Sequence, residues 1–156
     1  MTEKELKWHK TFIKIALEIA NHSTCCRKQV ACLLVKNNVI ISTGYNGTPS
    51  GQKHCNEYFT PSMINRPDFM EKHRIFSNRY EVHSEQNAIA QAAKNEVNPE
   101  GATAYVTLSP CLSCAKLLIT AGIKKVFYYE KYDRDTSGID LLKESNIQVE
   151  RITLKE

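Results

Sequence analysis

The segment from Ala102 to Ile152 constrains the fold more than any other stretch. Runs rich in β-branched and aromatic residues alternate there with helical ones: ATAYVTL at 102–108, CLSCAKLLITA from about Cys111 to Ala121 with Gly122 behind it, KVFYYE at 125–130, a helix near Ile139 to Glu144, and IQVERI at 147–152. Strand alternating with helix implies parallel strands joined by crossover helices, packed on the sheet faces. The expected class is layered α/β. Upstream, Thr2 and Glu5 form a capping-box pattern ahead of Leu6, Phe12, Ile13, Ala16, Leu17, Ile19 and Ala20, which recur at near-helical spacing to about His22. Residues 29–35 (QVACLLV) and 39–43 (VIIST) flank Asn37 and Asn38, which tolerate the positive φ of a tight hairpin. An antiparallel pair therefore joins the parallel strands in a mixed five-stranded sheet. A helix from about Ser84 to Lys94 completes the order α β β α β α β α β, with Glu85 close to the positive end of its dipole. Residues about 52–80 show no regular period and form an insertion too long to be an ordinary structureless loop.

At 156 residues the chain is expected to be a single domain able to bury a core without disulfides. A hydrophobic fraction of 42% and a charged fraction of 24% exclude disordered and fibrous classes. The net charge of +4 contains no long run of one sign, so it suits an anionic small molecule as well as nucleic acid. The early apolar stretch from Phe12 to Ala20 is broken by Lys14 and Glu18, so neither a membrane span nor a signal peptide is expected, and the chain reads as cytoplasmic. In a reducing compartment its six cysteines point to metal ligation rather than disulfides. Cys32, inside an apolar run, reads as a core residue.

The chemistry concentrates in His83-Ser84-Glu85 and Pro110-Cys111-Leu112-Ser113-Cys114, an H-x-E followed by P-C-x-x-C, the pattern of zinc deaminases. One imidazole and two thiolates supply the three ligands of a catalytic zinc and leave its fourth position for water. Cys111 and Cys114 lie at i and i+3 at a helix start, where the dipole favours thiolate, and Pro110 suits the first turn. Glu85 approaches the same cavity as a proton shuttle and not a ligand. A closed structural zinc site built on Cys111 and Cys114 is the alternative, but it lacks a second C-x-x-C and leaves Glu85 idle.

Together with ISTGYNGTPSG at 41–51, HSEQNAI at 83–89 and TLSPCLSCAK at 107–116, nearly the whole chain resembles the deoxycytidylate (dCMP) deaminase branch of the cytidine deaminase-like zinc superfamily, of phage or bacterial type. The resemblance implies a three-layer α-β-α fold and hydrolysis of dCMP to dUMP and ammonia, supplying dUMP for thymidylate synthesis. Zinc-bound hydroxide would attack C4, with Glu85 moving the proton to N3 and then to the leaving amine. The resemblance also implies that the Ser84 amide holds the pyrimidine O2 and the Ser109 carbonyl accepts from the amino group, with Asn46 on the sugar and Tyr132 on the substrate. Arg134, near Tyr132, offers a guanidinium to the 5'-phosphate. A second, structural zinc on Cys25, Cys55, His73 and Glu81 is implied as well, pinning a loop short of apolar residues; Cys26 competes with Cys25 for the first place.

Other implications concern assembly: a homo-oligomer, hexamer or dimer, with dCTP and dTTP as effectors and Mg2+ accompanying them, Arg27, Lys28 and Gln29 lying in the loops involved. Effector-controlled relatives carry Arg on the catalytic helix where this chain has Lys94, which keeps the charge and loses the bidentate geometry. A polynucleotide deaminase would use the same zinc but need a basic, aromatic groove, and no Arg/Lys cluster with interleaved aromatics is present, so nucleic acid is disfavoured. A noncatalytic zinc-stabilised scaffold is the third reading, and Glu85 speaks against it.

Overall fold

The computed structural model describes residues 1–155. A mixed sheet of five strands runs in the order β2-β1-β3-β4-β5, with β1 Ala31–Lys36, β2 Val39–Tyr45, β3 Thr103–Leu108, β4 Lys125–Glu130 and β5 Gln148–Arg151. β1 is antiparallel to both β2 and β3, whereas β3, β4 and β5 are mutually parallel, as the alternation from residue 102 requires. The β1–β2 turn is the expected one: Asn37 and Asn38 have φ of 50° and 60°.

Successive side chains of a strand point to opposite faces, so a strand covered on both sides reads as a continuous apolar run. Leu33 and Val35 of β1 join Tyr105 and Phe127 beneath Phe12, Ile13 and Ala16 of α1 (Glu3–Ala20). Cys32 and Leu34 point the other way, with Val106 and Val126, onto Ala88 of α5 (Ser84–Lys94), Ala115 and Leu118 of α6 (Leu112–Thr120) and Leu142 of α7 (Ser137–Glu144). Three layers, α-β-α, result. The reciprocal capping box of Thr2 and Glu5 starts α1. Among the described residues no helix is long and apolar enough to cross a membrane.

The insertion departs from expectation. It is helical, with α2 Cys55–Tyr58, α3 Pro61–Ile64 and α4 Phe69–Tyr80. Phe69, His73, Phe76 and Tyr80 do recur at helical spacing, but a histidine in an apolar stripe hid the period; His73 is buried at the centre of that face. Nor is the segment short of apolar contacts, since Phe59, Phe69 and Phe76 form a third cluster with Cys25 and Cys55. Two boundaries shift as well. Cys111 caps α6 from outside, so Pro110 precedes the helix instead of opening its first turn, and α7 begins at Ser137 rather than near Ile139.

Candidate active site and second metal cluster

Two helix N-termini meet at the edge of the sheet. His83 is the N-cap of α5 and Cys111 that of α6, both extended, with φ near −71° and −72°. The His83 backbone N–H donates to Gln86 Oε1 at 2.8 Å, which satisfies the cap and leaves the imidazole free to face inward. His83 Nδ1 stands 3.5 Å from Cys111 Sγ and 3.3 Å from Cys114 Sγ. One ligand atom from each of the three residues lies within 4.8 Å of the others, a spacing and donor set that fit zinc. Cys114 donates to Cys111, which holds the Cys111 thiol down to about 4 and pushes Cys114 upward. His83 is raised by its hydrogen bond to Cys111.

Glu85 is buried one residue inside α5, and the Ser84 hydroxyl donates to its Oε1 at 2.5 Å. Burial raises the carboxyl above the ordinary range, the Ser84 hydrogen bond opposing it. That places a buried carboxyl beside the cluster. β2 can lie this close only because residue 44 is glycine: a Cβ there would sit 2.3 Å from Ala88 N and 2.4 Å from Ser84 O. Gly44, inside β2, thus seats the first turn of α5, a role its sequence suggested only as turn formation.

The cluster opens onto a cavity of about 480 Å³, within the usual range for small-molecule sites. Its lining includes Asn46, Ser109, Tyr132 and Arg134, all singled out from sequence, and also Arg27, Lys28, Glu130 and Lys131. Lys28 is ion-paired to Glu130. Arg27 and Lys28 were placed from sequence only in the loops of an effector site, and Lys131 was not singled out, because the two loops that meet here lie far apart in the chain. Asn46 is partly committed elsewhere: Oδ1 accepts from Val30 N–H and Nδ2 donates to the Lys28 carbonyl, both at 2.9 Å, fixing the entry to β1. Ser84, behind the cavity wall, is almost fully buried.

Cys25, Cys55, His73 and Glu81 form the second group, their ligand atoms also within 4.8 Å of one another. Cys25 Sγ is 3.4 Å from His73 Nε2 and 3.5 Å from Glu81 Oε1, and His73 Nε2 is 3.4 Å from Glu81 Oε1. Cys25, not Cys26, enters the group, while the Cys26 N–H donates to Cys55 Sγ at 3.3 Å. The Cys25 thiol is pulled down to about 4 by the hydrogen bond from Cys55, whose own thiol is pushed up, and burial followed by the Cys25 charge lifts Glu81 to about 7. Glu81 Oε2 and His73 Nδ1 are buried without a partner, an arrangement that is costly unless something else is bound there. Two sulfurs, an imidazole and a carboxylate fit a closed zinc site. Val82 joins the two groups, pinned to Gly47 by N–H···O bonds of 2.7 and 3.1 Å.

Comparison with known proteins agrees with this geometry. Residues 6–130 match the family described as cytidine and deoxycytidylate deaminase zinc-binding region. The chain is 36% identical to the deoxycytidylate deaminase of Enterobacteria phage T4 over 93% of its own length and 90% of that protein. It is 32% identical to ComE operon protein 2 of Bacillus subtilis, covering 98% of this chain and 75% of that one. A crystal structure of dCMP deaminase from the cyanophage S-TIM5 in complex with dCMP and dUMP superposes with a TM-score of 0.76 at 33% identity, over 97% and 99% of the two chains.

Proposed function

The chain belongs to the cytidine and deoxycytidylate deaminase family, and we propose on that premise that His83, Cys111 and Cys114 hold the zinc with which it deaminates dCMP to dUMP and ammonia. The observation that carries this reading is the convergence of these three ligands on two helix N-termini, open on the cavity side, with buried Glu85 alongside. Held by these three residues, zinc would supply Lewis acidity that makes water a nucleophile near neutral pH. Glu85 accepts one proton of the attacking water and delivers it to N3 of the ring; it then takes the proton of the new C4 hydroxyl and passes it to the amine as the C4–N bond breaks, leaving the 4-carbonyl and ammonia. The Ser84 amide and Ser109 carbonyl orient the base, and Asn46 and Tyr132 line the path of the sugar and substrate.

For the 5'-phosphate, Arg134 stands with Arg27, Lys28 and Lys131 at the same cavity, where Glu130 is ion-paired to Lys28. A dianion there gains charge-assisted hydrogen bonds that a nucleoside cannot make. Cys25, Cys55, His73 and Glu81 hold a second, structural zinc in this reading. The single deaminase domain, the homo-oligomer, control by dCTP and dTTP with Mg2+, and the cytoplasmic setting are carried by the family resemblance.

The test is loss of cytosine absorbance with dCMP, CMP, deoxycytidine and a single-stranded oligonucleotide in parallel. Deamination of dCMP should exceed that of deoxycytidine by at least ~10²-fold in kcat/KM. A faster reaction on the oligonucleotide would replace this reading with polynucleotide deamination, and a preference for deoxycytidine would leave the zinc chemistry but remove the nucleotide assignment.

A further inference from the structure

β3 and β4 run in parallel with Leu108 opposite Glu130, and the pairing continues one step beyond both strands, where the Ser109 N–H donates to the Glu130 carbonyl at 2.8 Å. In a regular parallel ladder the next bond would run from the Tyr132 N–H back to the Ser109 carbonyl. It does not. The Tyr132 N–H donates instead to the Ser109 hydroxyl, at 2.8 Å. No main-chain donor among the described residues reaches the Ser109 carbonyl, although Ser109 is buried and lines the cavity beside Cys111. A buried carbonyl deprived of its ladder partner is an acceptor in need of a donor.

We propose that the Ser109 side chain is a positioning and specificity-determining residue: by taking the ladder bond in place of its own carbonyl, the hydroxyl keeps that carbonyl free for the N–H of a substrate amino group, so the site prefers a 4-amino pyrimidine nucleotide to its 4-oxo product. This rests on the cytosine-nucleotide reading above. Cytosine presents a donor at position 4 and uracil presents a carbonyl oxygen, which a free carbonyl repels. Without the hydroxyl, the Tyr132 N–H is left to bond the Ser109 carbonyl, as in an ordinary ladder, and the acceptor is withdrawn from the cavity.

Binding of dCMP and dUMP separates this role from a general packing role. Zinc-loaded Glu85→Gln protein, which retains substrate without turning it over, is compared by calorimetry with the same protein carrying Ser109→Ala or Ser109→Thr. Ser109→Ala should weaken dCMP about tenfold, the loss of one well-made hydrogen bond, while dUMP binds as before or more tightly, and Ser109→Thr should restore the preference. Equal weakening of both nucleotides, or no change in either, overturns the inference while leaving the deaminase reading intact. Failure of the Glu85→Gln protein itself to bind dCMP removes that reading, and the inference falls with it.

Discussion

The two cysteine-histidine groups lie on either side of Val82 yet are built in opposite ways. The first takes three ligands from two helix caps and leaves its open side to a cavity; His83 itself is exposed. The second brings together four donors from between residues 25 and 81, with Cys25 and Cys55 clustered against Phe59, Phe69 and Phe76; its donor set is already complete, although Cys25, His73 and Glu81 reach the wall of the same cavity. A group with a missing ligand beside a buried carboxylate suits chemistry on a bound water, whereas a saturated one buried in aromatic side chains suits holding chain segments together. Alternate positions of one extended tether, Glu81 and His83, enter the two groups.

The sharpest way to break that contrast is Glu85→Gln. Deamination should fall by ~10²-fold or more while both metals remain, because the side chain moves protons and ligates nothing; turnover within tenfold of the parent would refute the proton-shuttle role. Cys55→Ser should act on the other side of Val82. Zinc content drops from two per subunit to one, the metal at His83 stays, and the unfolding temperature falls by roughly 5–10 °C, on a scale of about 2–4 °C per kcal/mol. A full complement of metal in that variant, or a native protein with one zinc, would make the second group an ordinary buried polar cluster.

Arg134→Ala probes the cavity onto which the three-donor group opens. It should reduce the preference for dCMP over deoxycytidine about tenfold by weakening dCMP, and an unchanged ratio would shift the phosphate to Arg27, Lys28 or Lys131. The smallest effect concerns neither metal. On the opposite sheet face His9 stacks on Phe127 with Nδ1 2.7 Å from the Tyr105 hydroxyl, and burial lowers its pKa below the ordinary 6.5, with Lys125 adding to the shift against Glu5 and Glu150. The unfolded chain then binds more protons than the folded one below about pH 6.5, so His9 makes stability fall as pH drops through that value. His9→Phe should flatten the denaturation midpoint between pH 7 and 5 without altering metal content. A midpoint whose slope is the same in both proteins would contradict the lowered pKa.

How much of this was readable from sequence depends on whether a signal is local. Asn37-Asn38, the Thr2–Glu5 box and the bounds of α5 depend on neighbours in the chain, and the structure has them where the residues indicated. His83, Cys111 and Cys114 were legible because metal chemistry restricts residue type and helix starts restrict spacing. α4 was not, because periodicity counts residue types and cannot recognise a histidine as an interior residue until its partners are known. Those partners, Cys25 and Glu81, are 48 and 8 positions away.

Residue types in order thus determined the strand-helix alternation, the parallel half of the sheet and the grouping of His83 with Cys111 and Cys114, since each follows from local propensity or from the spacing of donor residues at helix starts. Tertiary structure alone decided that Cys25 rather than Cys26 faces His73, that Arg27 and Lys28 share a cavity with Lys131 and Arg134, and that a serine hydroxyl replaces a backbone carbonyl at the end of β3. Each of these depends on which of several chemically equivalent groups lies within about 3–4 Å of a distant partner, and that distance is set by how helices and strands stack, through contacts whose sequence separation leaves no local pattern.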